Sequence, residues 1–196
     1  IKVKVIDVHD GDTLTAINEK KQETYKIRLA SVDTPETDFQ NSSQGTISMK
    51  ARSFLMSLIP ADKIINLTNE SQTDRHGRIL GVLKVNDIEI NKEIVRNGWG
   101  LPYDIDGINH DTLLEYAEAC LEAEENQRGM FAPENQSEFE EPYNFRMRVQ
   151  KKLGRNIIGN ILTQKLYTAL EIKEVPVCLR IFFSNEILAQ SKGYSF

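Results

Sequence analysis

The chain has 196 residues, 40% of them hydrophobic, with a formal net charge of −5 and a pI near 5.3. That is enough apolar material for one domain of ordinary size plus a smaller appendage, and too acidic a balance for a protein that coats duplex DNA through its bulk field. The charge is uneven, with 15 basic and 23 acidic side chains in residues 1–135 and 9 and 6 in residues 136–196, so a polyanion would be held by local cations and a metal ion rather than by the average potential.

Ile1, Val3 and Val5 alternate with lysines, and Ile6 and Val8 then change parity, which predicts a strand with a bulge or bend before the Asp10-Gly11 turn. A second strand is expected from Thr13 to Ile17. After a polar turn, Tyr25, Ile27 and Leu29 alternate again and put Lys26 and Arg28 on the opposite face. Asp33-Thr34-Pro35-Glu36 ends this three-strand meander, because Pro35 cannot donate to a ladder and biases Thr34 towards extended geometry. Ile47, Ala51, Phe54, Leu55 and Leu58 recur at helical spacing up to Pro60. Ile64 to Leu67 and Ile79 to Val85 read as two more strands, with the charged turn Thr73 to Arg78 between them. Helices are expected from Ile90 to Asn97, stopping at Gly98, and from an N-cap at Asp111 to about Asn126.

No stretch approaches the roughly 18 uncharged apolar residues of a spanning helix, and no signal-peptide pattern opens the chain. It starts at Ile1 rather than Met, so an upstream segment is expected, with an export signal or a membrane anchor among the options. Cys120 and Cys178 are too few for a disulfide framework and lack the spacing of a zinc site. Cys120 shares helical spacing with Leu113, Ala117 and Leu121, so a buried core thiol is expected, and the redox compartment stays open. Pro133 to Pro142 reads as a linker, followed by a run of Arg146, Arg148, Lys151, Lys152 and Arg155 without an acid. The fold class is therefore mixed α+β: a five-stranded Greek-key barrel of the OB type with three helices over residues 1–133, a linker at 134–145 and a small C-terminal α/β module at 146–196.

Asp12 opens the second strand and Asp33 closes the third, which in a meander brings two carboxylates to one sheet edge. With the Thr34 carbonyl and waters, they would make a hydrated oxygen site suited to Ca²⁺. From the tetrapeptide Asp10-Gly11-Asp12-Thr13 alone, a hairpin turn is the plainer reading. Arg28, in mid-strand, is placed to take a phosphate in bidentate fashion, with a surface ion pair as its ordinary alternative. Arg78 shares that ambiguity. Glu36 is placed to orient or deprotonate an attacking water.

Taken in order, Asp10-Gly11-Asp12-Thr13, Arg28-Leu29, Val32-Asp33-Thr34-Pro35-Glu36 and Asp74-Arg75-His76-Gly77-Arg78 resemble the signature of the staphylococcal nuclease family. Val95-Arg96-Asn97-Gly98 and Arg128-Gly129-Met130-Phe131 are similar to its later landmarks, so the resemblance covers roughly residues 1 to 133. It implies Ca²⁺ on Asp12, Asp33 and the Thr34 carbonyl, a scissile phosphate on Arg28 and Arg78, and Glu36 as general base. The implied reaction is hydrolysis of DNA and RNA on the 5′ side of the phosphodiester, leaving 3′-phosphates, with single strands preferred. Tyr103 matches an aromatic that contacts the nucleotide, and His76 stands where the family often has a tyrosine. The resemblance also implies a secreted, periplasmic or cell-surface location, with the cytoplasm as the alternative, and a monomer is expected.

His9 and His110 are expected to be exposed or capping groups, and Trp99 a core or groove-edge residue. The tail, with Ile158-Gly159-Asn160, Lys165-Leu166-Tyr167 and Gly193-Tyr194, resembles the metal-binding module of Ada-type repair proteins, but the ligand positions read Thr168-Ala169-Leu170-Glu171, so no zinc is expected. The basic run is either a nucleic-acid contact or a solvated linker face. A rival class, a binding module that keeps the barrel without chemistry, has no need of Asp12, Arg28, Asp33, Glu36 and Arg78 together, which places the enzyme ahead.

Overall fold

The computed structural model describes residues 1–60, 62–69, 71–105, 110–152, 154 and 156–196. Strands β1 (Lys2–Val8), β2 (Thr13–Asn18) and β3 (Glu23–Leu29) form the expected meander, followed by the short β4 (Val32–Asp33) and helix α1 (Thr46–Leu58). Then come β5 (Ile64–Thr68), β6 (Ile79–Val85), β7 (Ile88–Glu89), α2 (Ile90–Arg96), β8 (Leu101–Pro102) and α3 (His110–Glu125). The register of β1 against β2 slips between Val5 and Asp7. The extra residue is why Val3, Val5 and Val8 all face inward, since a bulge inverts the parity of a strand.

The sheet order is β3-β2-β1-β5-β6-β7, and a parallel pairing of β3 with β6, Ile27 opposite Ile79, closes five strands into a barrel of the OB type. Its core holds Leu14, Ala16, Ile27, Leu29, Ile65, Leu67 and Leu83, with α1, α2 and α3 packed against it through Ile47, Leu55, Ile94, Val95, Tyr116 and Cys120. Buried Asn91 on α2 satisfies the backbone where strands end: its Nδ2 donates to the carbonyls of Ala30 and Gly81, and its Oδ1 accepts from Leu83 N. Helix α2 stops in a Schellman turn, Trp99 N donating to Ile94 O and Gly98 N to Val95 O. Gly98 sits at φ +72°, where a Cβ would lie 2.1 Å from the Arg128 carbonyl oxygen, so no other residue fits there. Helix α3 begins one residue ahead of the expected cap, which leaves Asp111 in its first turn.

The C-terminal part starts with α4 (Pro142–Val149) and continues with β9 (Ile157–Asn160), β10 (Leu166–Tyr167), β11 (Arg180–Phe183) and α5 (Glu186–Ser191). The three strands form a sheet in the order β10-β9-β11. Its core is shared with the barrel unit, because Leu113 and Ala117 of α3 pack among Tyr143, Ile158, Leu179, Ile181 and Phe182. One backbone bond also joins the two, Phe182 N donating to the Asp104 carbonyl, while α4 is held on the C-terminal sheet by Tyr143 stacked on Phe182 at 4.3 Å and by the buried ion pair of Arg180 with Glu141 at its start.

The expectation of a buried core thiol at Cys120 is corrected: Cys120 and Cys178 form a disulfide, with Cα atoms 5.4 Å apart. The helical spacing did place Cys120 inward. The partner arrives only because the chain returns 58 residues later and packs on the same face of α3, which no local periodicity encodes. Arg155, the last cation of the basic run, lies outside the described residues. Trp99 is half-buried against the core, His9 bonds Thr15 Oγ1, and His110 lies against Tyr194. No helix among the described residues is long and apolar enough to cross a membrane.

Candidate active site

The antiparallel register of β2 and β3 sets Thr13 opposite Arg28, so Asp12, one residue earlier, lies over the end of β3, where Leu29 N donates to its carbonyl at 2.8 Å. Pairing of β4 with β8, Asp33 opposite Leu101, brings Asp33 to the same edge. Close approach of the two loops needs Gly11, since a Cβ there would stand 2.8 Å from the Thr34 Cβ. The result is a buried carboxylate pair, Asp12 and Asp33 being 4% and 2% exposed.

Arg28 joins the two. Its Nη2 lies 3.1 Å from Asp33 Oδ1 and 3.2 Å from Asp12 Oδ2, and its Nη1 donates to the carbonyls of Leu29 and Val32. Asp12 Oδ2 also accepts from the backbone N (2.8 Å) and Oγ1 (3.0 Å) of Thr34, and Oδ1 from Thr13 Oγ1. Glu36 follows on a loop held by Gln44, whose Oε1 accepts from Glu36 N. Arg146, brought in by α4, completes the cluster: its Nη1 donates to Asp33 Oδ1 at 2.9 Å and to Glu36 Oε1 at 2.7 Å, its Nη2 to Asp33 Oδ2 at 2.7 Å, and its guanidinium lies 5.4 Å from the Tyr103 ring centroid.

Five of the expected residues, Asp12, Arg28, Asp33, Thr34 and Glu36, therefore converge, and Tyr103 borders them. Arg78 and His76 make their contacts elsewhere, within their own turn. Arg78 Nε donates to Asp74 Oδ2 at 2.7 Å, and exposed His76 donates its backbone N to Asp74 Oδ1 and accepts at Nε2 from Arg75 Nε. The parallel register sets Arg28 beside Leu80, and Arg78 lies in the turn just before β6. Arg146 is the member of the site that sequence alone leaves among the basic residues of the tail. Its only signal is the absence of an acid in the run that starts with it.

Burial pushes the Asp12 carboxyl up to about 7, with Arg28 opposing and Asp10 and Asp33 reinforcing the rise. Burial likewise raises Glu36, helped by Asp12 and opposed by Arg146. Among the described residues no group of three or more His, Cys, Asp or Glu is arranged to hold a metal ion. Asp12 and Asp33 are hard oxygen donors of the kind a divalent cation takes, and both are paired with arginine, Arg28 with each and Arg146 with Asp33.

A carboxyl whose folded pKa lies above its unfolded value binds its proton more tightly in the native state, so its contribution is greatest below the unfolded value near 3.8 and is lost as pH rises towards 7. For Asp12 the loss is at most about 4 kcal/mol. With a chelator present, the melting temperature should therefore fall as pH rises from about 5 to 7.5, and Asp12→Asn should flatten that slope. An unchanged slope in the variant would assign the effect to another group.

The staphylococcal nuclease homologue family model matches residues 26–133. The chain is 31% identical over 195 residues to Endonuclease YhcR of Bacillus subtilis, an alignment that covers 95% of this chain and 16% of that protein. It is 30% identical over 95 residues to Thermonuclease of Staphylococcus hyicus, covering 48% of this chain and 55% of that one. An uncharacterized Bacillus anthracis protein is 30% identical over 133 residues, covering 67% and 61%. The chain thus spans less than two thirds of each of these relatives.

Proposed function

From the premise that this chain belongs to the staphylococcal nuclease homologue family, we propose that it is a Ca²⁺-dependent nuclease that hydrolyses phosphodiester bonds of single-stranded DNA and RNA. The observation that carries this reading is the convergence of Asp12, Arg28, Asp33, Thr34 and Glu36 at one sheet edge. Asp12, Asp33 and the Thr34 carbonyl are the groups that would hold the ion. When bound, it supplies positive charge beside the scissile phosphate and offsets the repulsion between the two carboxylates.

Arg28 binds a phosphate oxygen from a position already fixed by two backbone carbonyls, so little ordering is left for the moment of reaction. Glu36 takes a proton from the attacking water, and burial raises its carboxyl in the direction that makes it a stronger base. Water oxygen bonds to phosphorus as the P–O5′ bond breaks, which leaves a 3′-phosphate and a 5′-oxygen that takes up a proton. Arg78, in the turn just before the strand that pairs with β3, joins the phosphate by turning from Asp74. Tyr103, beside the carboxylates, supplies a surface for the sugar or base.

Both endonucleolytic and exonucleolytic cutting fit this site. The Cys120–Cys178 disulfide supports an oxidising compartment, outside the cell or at its surface, and a monomer is expected. The test is cleavage of denatured DNA with Ca²⁺, with Mg²⁺ and with a chelator, followed by analysis of the ends. Cutting that needs Ca²⁺ and leaves 3′-phosphates supports the reading. Retention of single strands without cutting in any of the three conditions would make this a binding module.

A further inference from the structure

Arg146 lies outside the segment matched by the family model, yet it makes the densest set of contacts to the carboxylates. It chelates both oxygens of Asp33 and bridges to Glu36, and its side chain is 15% exposed. We propose that Arg146 is a substrate-binding residue of this active site, a third arginine supplied by the C-terminal unit, which turns from Asp33 and Glu36 to the phosphodiester phosphate during the reaction. The proposal rests on the nuclease reading above.

The way α4 is held argues against a removable plug. Phe145, next to Arg146, packs edge-on against Phe39 of the loop that follows Glu36. Tyr143 stacks on Phe182, and Glu141 pairs with buried Arg180. Gln44, which positions Glu36, donates from its Nε2 to the Glu140 carbonyl, and the disulfide ties the same unit to α3. A segment fixed at this many points stays docked. What can move is the guanidinium, and once it leaves Asp33 it remains within side-chain reach of the cleft.

Charge supports the same destination. Before a divalent cation binds, Asp12, Asp33 and Glu36, with Asp10 beside them, outnumber Arg28. Arg146 offsets one of these charges at Asp33 and Glu36. A guanidinium that grips a planar carboxylate with two parallel N–H groups presents the same fork to two phosphate oxygens, and charge that builds up on the phosphoryl oxygens during attack is best met by such a donor.

The test uses the full chain and its Arg146→Met and Arg146→Lys variants. Calcium affinity is measured calorimetrically without nucleic acid, and kcat/KM is measured on single-stranded DNA at saturating Ca²⁺. In Arg146→Met the calcium affinity is expected to rise several-fold, since a competing cation has left Asp33, while kcat/KM falls about 100-fold. Arg146→Lys should recover part of the loss, with the melting transition retained throughout. An undiminished or higher kcat/KM in Arg146→Met would make the residue a plug and overturn the proposal. Unchanged or weaker calcium affinity with reduced activity would make Arg146 structural and would overturn it too. A parent protein that does not cut DNA defeats the nuclease reading itself, an outcome separate from either variant result.

Discussion

Glu36→Gln is expected to lower kcat on single-stranded DNA about 1000-fold, within the range for loss of a positioned general base. Glutamine keeps the shape of the side chain and its carbonyl still accepts from Arg146, while the bidentate grip of Arg146 on Asp33 is untouched, so the melting temperature should hardly change. Calcium binding should survive as well, because Asp12 and Asp33 are intact. Arg78→Ala is the companion variant. Its one ion pair, with Asp74, sits in a partly exposed turn and contributes at most about 1 kcal/mol to stability, so a steep fall in kcat/KM would place Arg78 on the phosphate rather than in the scaffold. Single-turnover rates for both variants decide the matter. If both cut like the parent, the site lies elsewhere.

Removing the disulfide should have the largest effect on stability. Cys120 and Cys178 are fully buried and lie 58 residues apart in sequence, and a cross-link that closes a loop of this length is worth about 4 kcal/mol on the chain-entropy account. Cys120→Ala together with Cys178→Ala is therefore expected to lower the melting temperature by about 10 °C in a chain of this size, and reductant should do the same to the parent. The C-terminal unit should open first under native-state hydrogen exchange, because the bond ties it to α3. Parent protein that melts identically with and without reductant and titrates two free thiols would show that the bond does not form in solution.

The two experiments also separate the halves of the site. Glu36, Asp12, Asp33 and Arg28 are held by the barrel, whereas Arg146 is held by the segment that the disulfide secures. A reduced protein that still binds calcium but has lost kcat/KM would locate the loss in the C-terminal contribution.

Much of the barrel was legible in the chain because its signals are local. Alternation at a period of two marks β1 and β3, a short apolar run marks β6, and the change of parity after Val5 marks the bulge. The meander implied by two short turns puts Asp12 beside the end of β3, since antiparallel neighbours joined by tight turns have a fixed register, whereas Asp33, expected at the end of the third strand, lies on the separate short β4 and reaches the edge by pairing with β8. Gly98 marked the stop of α2 because only glycine adopts that backbone without strain. These features follow from near-neighbour sterics and hydrogen bonding, which sequence carries directly.

Closure of β3 on β6, the Cys120–Cys178 bond and the seating of Arg146 on Asp33 were decided by the tertiary structure alone. In the last case the partners are 113 residues apart, and a solvated basic run looks the same in sequence as one whose first member is folded inward. Arg146 goes inward because α4 is held between the loop after Glu36 and the C-terminal sheet, and because two buried carboxylates with one guanidinium between them attract a second. That choice depends on which surfaces meet when two cores share α3, and no local pattern contains it.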